Sequence, residues 1–301
     1  MNVLLVDIDS KIPNLALMKI SAWHKAQGNI VGFDIGNPDK VYISCIFKKN
    51  AEQARGIATY YPDAQINIGG CGIDLKNTLS DEIELIKPDY DLYQTTYSQG
   101  YTSRGCPNKC GFCIVPEKEG KIRIAQHPSE FHDPRFDTCM IMDNNLFGTP
   151  NYWQKKVFDW FENTSTKMLS PQGWDARLLT EKRWNRLQSI KHAAAIHFAW
   201  DDVKDEKHIV RAIEVMKQGG ITDGHLRRNI SFYVLAGYGS STFEDALYRC
   251  TRLKELGTQS FVMPYHKKDK RINALARWAN RPWLYWSMPF EKYNRGSKTP
   301  S

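Results

Sequence analysis

The sequence predicts an α/β protein in which a small doubly wound, Rossmann-like domain precedes an open, partial (β/α)6 barrel of the TIM type. Short apolar runs alternate with amphipathic helical stretches along most of the 301 residues. No internal repeat or low-complexity block interrupts this order. Six strand–helix units of about 30 residues follow residue 100, fewer than the eight units of a closed barrel, which has ~250 residues.

The first domain is predicted over residues 1–95. An apolar run at 3–6 is typical of a buried strand, and a helix is expected to begin near Pro13 and to end before Gly28. The later elements of this domain are a strand at 41–47, a helix at 51–60 and a strand at 65–68 that runs into Gly69 and Gly70. The segment 89–99, rich in Tyr and Thr, is the predicted boundary.

The barrel is predicted over residues 96–265. Its strands are expected near 100–104, 138–142, 167–171, 194–200, 229–236 and 259–263. The clearest helix, 206–217, carries apolar residues on one side and ends at Gly219. Another begins at Thr242, where Asp245 completes an arrangement that resembles a capping box. A basic, aromatic C-terminal extension, 266–301, follows the barrel.

The composition argues against a membrane-spanning chain and against a secreted disulfide framework. Nowhere do about 18 apolar residues follow one another without a charge. The first residues carry no basic leader and no small-residue cleavage site, so no signal peptide is expected. Of seven cysteines, three lie within eight positions, which suits a metal site. We therefore expect reduced thiols, a cytoplasmic protein and no membrane partner.

Cys106, Cys110 and Cys113 form the pattern CxxxCxxC directly after the first predicted barrel strand. A structural zinc ion takes four ligands, commonly from CxxC pairs. An iron–sulfur cube held by three thiolates keeps one iron open to a small molecule. Gly105 and Gly111 would let the loop wrap a cluster closely. The spacing favours an open iron–sulfur site, with a structural zinc or a ferredoxin-like cluster as the alternatives.

This motif, with the aromatic Phe112 immediately before the third cysteine, resembles the radical S-adenosylmethionine superfamily. The resemblance implies an enzyme with a 4Fe-4S cluster on Cys106, Cys110 and Cys113, whose open iron binds the amino and carboxylate groups of S-adenosylmethionine. One electron from the cluster would cleave the cofactor to a 5′-deoxyadenosyl radical, which abstracts hydrogen from an unidentified substrate. The electron would come from an external reductant such as flavodoxin or ferredoxin.

The resemblance also implies cofactor contacts at the ends of the later strands. Asp143 and Asn145 lie in a segment similar to the Asp-Asx-Asn of the cobalamin-binding-domain branch, in place of the commoner Gly-Gly-Glu. Arg177 suits the methionine carboxylate, because a guanidinium fork matches it, with a surface ion pair as the alternative. Asp201 is expected at the ribose hydroxyls, unless an aspartate here only caps the next helix.

The last two units are expected to meet the adenine. Gly237 lies in a segment similar to the Gly-rich turn of the family, which Thr-x-Glu-Asp follows on a helix. Met263 lies on the edge strand whose backbone would contact adenine, and a plain core strand is the alternative. His197, inside the fourth strand, is interpreted as a satisfied core histidine in preference to a catalytic base.

Residues 1–95 resemble the cobalamin-binding domain that precedes many such barrels, including the strand end at 68–70. Modules of the base-off type carry Asp-x-His-x-x-Gly after the first strand, and no histidine stands there in this chain. We therefore expect a vestigial domain that helps to cover the barrel mouth and binds no cobalamin. Methylthiotransferases of the superfamily use three N-terminal cysteines for a second cluster. Only Cys45 and Cys71 are present, so they are interpreted as buried packing residues.

The formal charge of +8 comes almost entirely from the C-terminal extension, where 267–301 carries nine Lys and Arg against Asp269 and Glu291, a net +7. Cations mixed with aromatic residues suit a nucleic acid. Leu275, Trp278 and further apolar residues suit docking onto the barrel, which is the favoured interpretation. The alternative functions are therefore a radical modifier of tRNA or DNA, and a metal-stabilised nucleic-acid-binding protein.

Overall fold

A computed structural model describes residues 1–266 and 268–293 of the chain. The strands are β1 (Asn2–Asp7), β2 (Ile30–Gly32), β3 (Lys40–Ser44), β4 (Gln65–Gly69), β5 (Ser98–Gly100), β6 (Ser103–Arg104), β7 (Arg123–Ile124), β8 (Thr138–Ile141), β9 (Lys167–Leu169), β10 (Ile196–Ala199), β11 (Ile230–Ala236) and β12 (Gln259–Pro264). The helices are α1 (Leu15–Ala26), α2 (Ala51–Ala58), α3 (Asp81–Glu84), α4 (Val115–Lys118), α5 (Pro128–Phe131), α6 (Asn151–Thr164), α7 (Glu181–Ser189), α8 (Glu206–Gln218), α9 (Asp223–Asn229), α10 (Phe243–Glu255), α11 (Lys270–Ala279) and α12 (Pro282–Ser287). The α/β class with parallel sheets is confirmed.

The chain divides into two compact units. The first holds Met1–Cys106 and Ile114–Met142, and the second holds Pro107–Cys113 and the chain from Asp143 onward. The predicted domains, 1–95, 96–265 and 266–301, are drawn on other grounds and stay predictions.

The N-terminal sheet of the first unit is parallel, with the strand order β2-β1-β3-β4. Alternate residues of β1 belong to different cores, because Val3 and Leu5 pack with α1 whereas Leu4 packs with α2. This two-sided burial matches the apolar run found in the sequence. The edge strand β2 was not predicted, since it has three residues and Ile30 is exposed.

The predicted strand at 41–47 extends too far, because β3 ends at Ser44. The chain leaves β3 after Ser44, because the backbone N–H groups of Ile46 and Phe47 donate to the carboxylate of Asp9, at 2.7 and 3.0 Å, and not to a neighbouring strand.

The predicted strand at 100–104 is divided in two. β5 pairs in parallel with β8, and β6 then forms an antiparallel pair with β7. The boundary segment 89–99 is itself ordered by Tyr90, which is buried and donates its hydroxyl hydrogen to the Phe131 carbonyl at 2.6 Å.

The sheet of the second unit is β10-β11-β12, all parallel, and each strand lies within or beside its predicted position. Residues 168–174 run alongside 192–198 through two isolated bridges. One face of the sheet is buried, while the other carries partly exposed residues such as Tyr233, Phe261 and Met263. The carboxyl ends of these strands hold three of the residues predicted for the cofactor: Asp201, Gly237 and Met263.

The C-terminal extension packs onto the second unit as far as it is described. Leu275 and Trp278 on α11 and Leu284 on α12 are buried, and α11 contacts both α10 and β12. The docking interpretation is confirmed for these residues. The cations Lys267, Arg295 and Lys298 lie outside the described residues. None of the helices within the described ranges is long and apolar enough to cross a membrane.

A substitution at Gly70 tests how closely the backbone packs at the end of β4. The φ of Gly70 is +100°, and a Cβ there would lie 2.3 Å from the Cys45 carbonyl oxygen. We expect Gly70→Ala to lower the free energy of unfolding in urea by about 1–3 kcal/mol, because a side chain strains this backbone. The control Gly56→Ala lies in α2 with nothing within 4 Å of the new Cβ. That change should raise the free energy by about 0.5–1 kcal/mol. Equal effects of the two variants would contradict this reading.

Candidate cysteine site and its strand-end residues

Cys106 is approached through a tight turn in the first unit. The preceding Gly105 has φ +83°, and a Cβ there would lie 2.5 Å from the Lys121 carbonyl oxygen. Arg104 is anchored by Glu84 and by Glu119, the latter at 3.1 Å. The side-chain-free turn and the two ion pairs therefore fix the backbone that leads into Cys106.

Cys110 and Cys113 belong to the second unit and share one turn, in which the N–H of Cys113 donates to the Cys110 carbonyl at 3.0 Å. Both thiols and that of Cys106 are half-buried, whereas Cys45, Cys139 and Cys250 are buried. The three cysteines of the motif thus keep the accessibility that a ligand requires. Across the described residues, no three His, Cys, Asp or Glu side chains are gathered as metal ligands would be, so the metal site stays a prediction.

Asp175 is the centre of the polar contacts in the second unit, and its side chain is only 7% exposed. It accepts hydrogen bonds from Nε and Nη2 of Arg177, at 2.8 and 3.0 Å. It also accepts from Nδ2 of Asn108, at 2.8 Å, and from Nδ2 of Asn145, at 3.2 Å. One carboxylate therefore joins the cysteine-bearing segment to the ends of two predicted barrel strands.

The charges around Asp175 support one another. Burial alone would raise its pKa, but the hydrogen bonds from Arg177 and Asn108 and the guanidinium charge hold the pKa below its ordinary value. Asp175 in turn raises the pKa of Arg177, with a smaller contribution from Cys110. Both groups are therefore ionised at neutral pH and form a charge-neutral pair.

Arg177 was predicted as a carboxylate partner, with an ion pair as the alternative. The ion pair is present. Among the described residues, it uses the N–H of Nε and one N–H of Nη2. A guanidinium has five N–H donors, so further donors remain for a second carboxylate. The side chain is about one third exposed, at 36%. The two readings of Arg177 are thus compatible in this geometry.

The two aspartates after β10 have different roles. Asp202 caps the 3-10 helix Val203–Asp205, because its side chain accepts from the Lys204 N–H. Asp201 does not cap it. Its Oδ1 accepts from the N–H of Leu235 at 3.2 Å, and burial raises the pKa of its carboxyl. Asp201 therefore lies against β11 through one of its two carboxylate oxygens.

Arg249 holds the ends of β10 and β11. It is fully buried and donates to the carbonyl oxygens of Trp200, at 2.8 Å, and Leu235, at 2.9 Å. It also donates to the hydroxyl of Ser241 at 3.2 Å. Burial lowers the pKa of Arg249, and nearby acids oppose this effect. No pattern in the sequence indicates this role, because an arginine on a helix is usually solvated.

The turn after β11 is shaped by Gly237, which has φ +82°. A Cβ there would lie 2.7 Å from Cδ1 of Ile272, so the turn packs directly on α11. The predicted capping box of Thr242 and Asp245 is present at the start of α10. Met263 pairs with Leu235 in the sheet register and is partly exposed.

Phe112 contacts this same turn. Its ring meets the ring of Tyr238 edge-on, with centroids 5.6 Å apart. A Cβ at Gly111 would lie 2.9 Å from the Tyr238 hydroxyl oxygen, so the segment packs closely on this turn. The structure therefore brings Phe112 to the turn after β11 and, separately, Arg177 and Asn145 to Asp175. Asp143 is buried directly after β8.

His197 departs from its interpretation as a satisfied core residue. Its ring stacks on Tyr233 with centroids 4.7 Å apart. Nδ1 is buried and has no hydrogen-bond partner among the described residues. Burial lowers the pKa of His197, so the ring is neutral at pH 7. The position inside β10 is confirmed, but the residue is half-buried, and the expected satisfaction is wrong for this nitrogen.

The carboxyl edge of the N-terminal sheet is filled by the chain itself. Asp9 accepts from the backbone at 46–47 and from Asn50, and the Cys45 thiol lies 3.7 Å from it. Burial and this carboxylate raise the pKa of the Cys45 thiol. Asp7 accepts from the Tyr93 hydroxyl at 2.6 Å. Cys45 is buried as expected, whereas Cys71 is half-buried, so that part of the expectation is wrong.

Sequence reasoning missed Asp175, Asn108 and Tyr238. A weak signal existed for Asp175, because an acid two residues before an arginine at a strand end is a ready cap and partner. The chain was also compared with known proteins. No protein-family model matches it, and no curated protein is significantly similar to it.

Removing the Asp175 carboxylate should loosen the cysteine-bearing segment. We expect Asp175→Ala to lower the free energy of unfolding by about 3 kcal/mol, because Arg177 is left as a poorly paired charge. Amide hydrogen exchange at 107–113 should accelerate. The control Asp202→Ala removes an exposed partner of Lys204 and should cost about 1 kcal/mol or less, with exchange at 107–113 unchanged. Unchanged exchange in both variants would refute the linking role of Asp175.

Proposed function

We propose that this protein is a radical S-adenosylmethionine enzyme. One observation carries the proposal: the segment that bears Cys110 and Cys113 is tied through Asp175 to Arg177 and Asn145, two residues that the resemblance assigns to the cofactor. Asn108 and Asn145 lie 67 and 30 positions from Asp175, so their contacts with it are long-range and support a common site.

The cysteines are suited to a 4Fe-4S cluster. Cys106, Cys110 and Cys113 are half-buried thiols at CxxxCxxC spacing. When bound, the cluster and S-adenosylmethionine together supply a 5′-deoxyadenosyl radical that abstracts hydrogen from the substrate. The chain's own residues bind and orient the cofactor.

The strand-end residues take the following roles in the proposal. Arg177, held in orientation by Asp175, donates its remaining N–H groups to the methionine carboxylate. The second oxygen of Asp201 accepts from ribose hydroxyls. Phe112, the Gly237 turn and Met263 surround the adenine, and Asp143 and Asn145 lie toward the amino group.

The finer fold assignments belong to this proposal. The parallel strands β5, β8, β9, β10, β11 and β12 follow one another as a partial (β/α)6 barrel requires. The parallel order β2-β1-β3-β4 supports a Rossmann-like, doubly wound domain. The enzyme would work in the cytoplasm, with reduced thiols and an external one-electron reductant.

The central test is cofactor cleavage. Anaerobically reconstituted protein given dithionite and S-adenosylmethionine should yield 5′-deoxyadenosine, which liquid chromatography measures. Cys110→Ala should remove at least ~90% of the product by breaking the metal site. The matched control Cys71→Ser changes a half-buried thiol outside the motif and should retain the activity.

Two results would contradict the proposal. One is the complete absence of 5′-deoxyadenosine from protein that contains a reducible cluster. The other is a four-ligand zinc site without iron, together with nucleic-acid binding that weakens steeply with salt, which would favour the metal-stabilised nucleic-acid-binding protein. A radical modifier of tRNA or DNA would combine cofactor cleavage with that salt dependence.

We also propose that the N-terminal domain binds no cobalamin, because Asp7, Asp9, Asn50 and Tyr93 fill the carboxyl edge of its sheet, where ligands of such folds bind. Protein purified from cobalamin-fed cells should contain less than ~0.1 cobalt per chain. Cobalt at one equivalent, with the absorption of bound corrin, would overturn this expectation.

A further inference from the structure

A row of aromatic rings leads from the cysteine-bearing segment to the protein surface. Phe112, beside Cys113, contacts Tyr238 at 5.6 Å, Tyr238 contacts Tyr265 at 4.9 Å, and Tyr265 contacts His266 at 4.9 Å between ring centroids. Tyr265 is 47% exposed. All four belong to the second unit. We call this set the aromatic row; its inner end lies at the predicted metal site and its outer end at solvent.

The surface at the outer end of the row is basic. Lys268, Lys270 and Arg271 follow His266 directly and are exposed, within a segment, 267–301, that holds a net +7. The Arg271 guanidinium lies 4.0 Å over the ring of Phe243. A shallow cavity of about 300 Å³ opens here, lined by Phe243, Lys270, Arg271, Ala274 and Phe290. We call Tyr265, Lys268, Lys270 and Arg271 the basic face.

We propose that the basic face docks the acidic protein that supplies the electron for cofactor cleavage, which rests on the proposed function. The donor is a flavin or iron–sulfur protein that loses one electron, and the metal site at Cys106, Cys110 and Cys113 gains it. No bond or proton is transferred in this step. Opposite charges accelerate encounter, and an apolar cavity with an exposed aromatic ring gives the contact its specificity.

The observations favour an acidic protein over a nucleic acid. Binding of single strands depends on exposed aromatic rings on which bases stack. In the basic face Tyr265 is exposed, whereas in the extension Trp278 and Tyr285 are buried and Trp283, 67% exposed, lies on α12, outside the basic face. The packed rings join the basic face to Phe112, which suits a partner that exchanges electrons with the cysteine site.

The test compares a protein donor with a small reductant. The variant K268E/K270E/R271E, carrying its cluster, should be reduced by flavodoxin hydroquinone at least ~10-fold more slowly than the parent at low salt, in stopped-flow absorbance. Its rate should also lose most of the salt dependence of the parent. Reduction by dithionite, which needs no docking, should stay within about twofold. The control K207E/K217E reverses two exposed cations on α8 and should behave as the parent.

Arg271 also pairs with Glu244 at 2.8 Å, so the triple variant could disturb α11. The single variant Lys268→Glu leaves that pair intact. It should still lower the rate of reduction by flavodoxin hydroquinone about threefold. Docking is measured separately, without a cluster, as the affinity of cluster-free protein for labelled flavodoxin. The triple variant should weaken it about tenfold. This affinity tests docking even if the protein does not cleave the cofactor.

Equal reduction by flavodoxin of the parent and the triple variant, with equal affinity, would overturn the proposal. So would binding of a single-stranded RNA 20-mer that the triple variant abolishes while flavodoxin reduction stays unchanged, since the basic face would then belong to a nucleic acid. Slower reduction by dithionite as well would also count against docking, because it would place the defect at the metal site.

Discussion

The arrangement of the second unit depends on one buried carboxylate. A charged oxygen that is removed from water is tolerated only when donors surround it. Asp175 meets this requirement with donors from Asn108, Asn145 and Arg177, and so those three side chains cannot move independently. The same demand that stabilises Asp175 therefore sets the position of the cysteine-bearing segment and the direction of the Arg177 fork. The polar framework is organised by the chain alone, which reduces the ordering needed when a cofactor binds.

The residues at the carboxyl ends of the strands make different hydrogen bonds in the two units. In the N-terminal sheet, Asp7 and Asp9 turn toward the chain's own hydroxyl and amide groups. In the second unit, Asp201 keeps one oxygen for the backbone of Leu235, and Met263 stays partly exposed. A parallel sheet offers a ligand crevice at this edge in either case. The difference arises from the side chains at this edge. In the N-terminal sheet they hydrogen-bond to the chain itself, whereas in the second unit they are proposed to bind the cofactor.

Much of this could be predicted from the sequence because it depends on local pattern. The strands of the main sheets were found from apolar runs, and the caps at Thr242 and Gly219 from single residues. The short strand β2 and the break in the chain's strand structure after β5 were not predicted, because neither has an apolar pattern long enough to detect. Asp175 escaped for another reason: its partner Asn108 is 67 positions away, and no local pattern encodes that contact. Side-chain contacts between residues far apart in the sequence determine the site, whereas local apolar periodicity determines the strands and helices.

The contact between Gly237 and Ile272 has a consequence for how this chain can diverge. The missing side chain at 237 leaves the space that Cδ1 of Ile272 occupies, 2.7 Å from where a Cβ would stand. Gly237 also has φ +82°, a backbone conformation that strains any residue with a side chain. A larger residue at 237 would therefore have to turn Cδ1 of Ile272 aside and would still carry a strained backbone, so shortening residue 272 removes only the steric part of the obstacle. The turn should accordingly keep its glycine even where residue 272 varies.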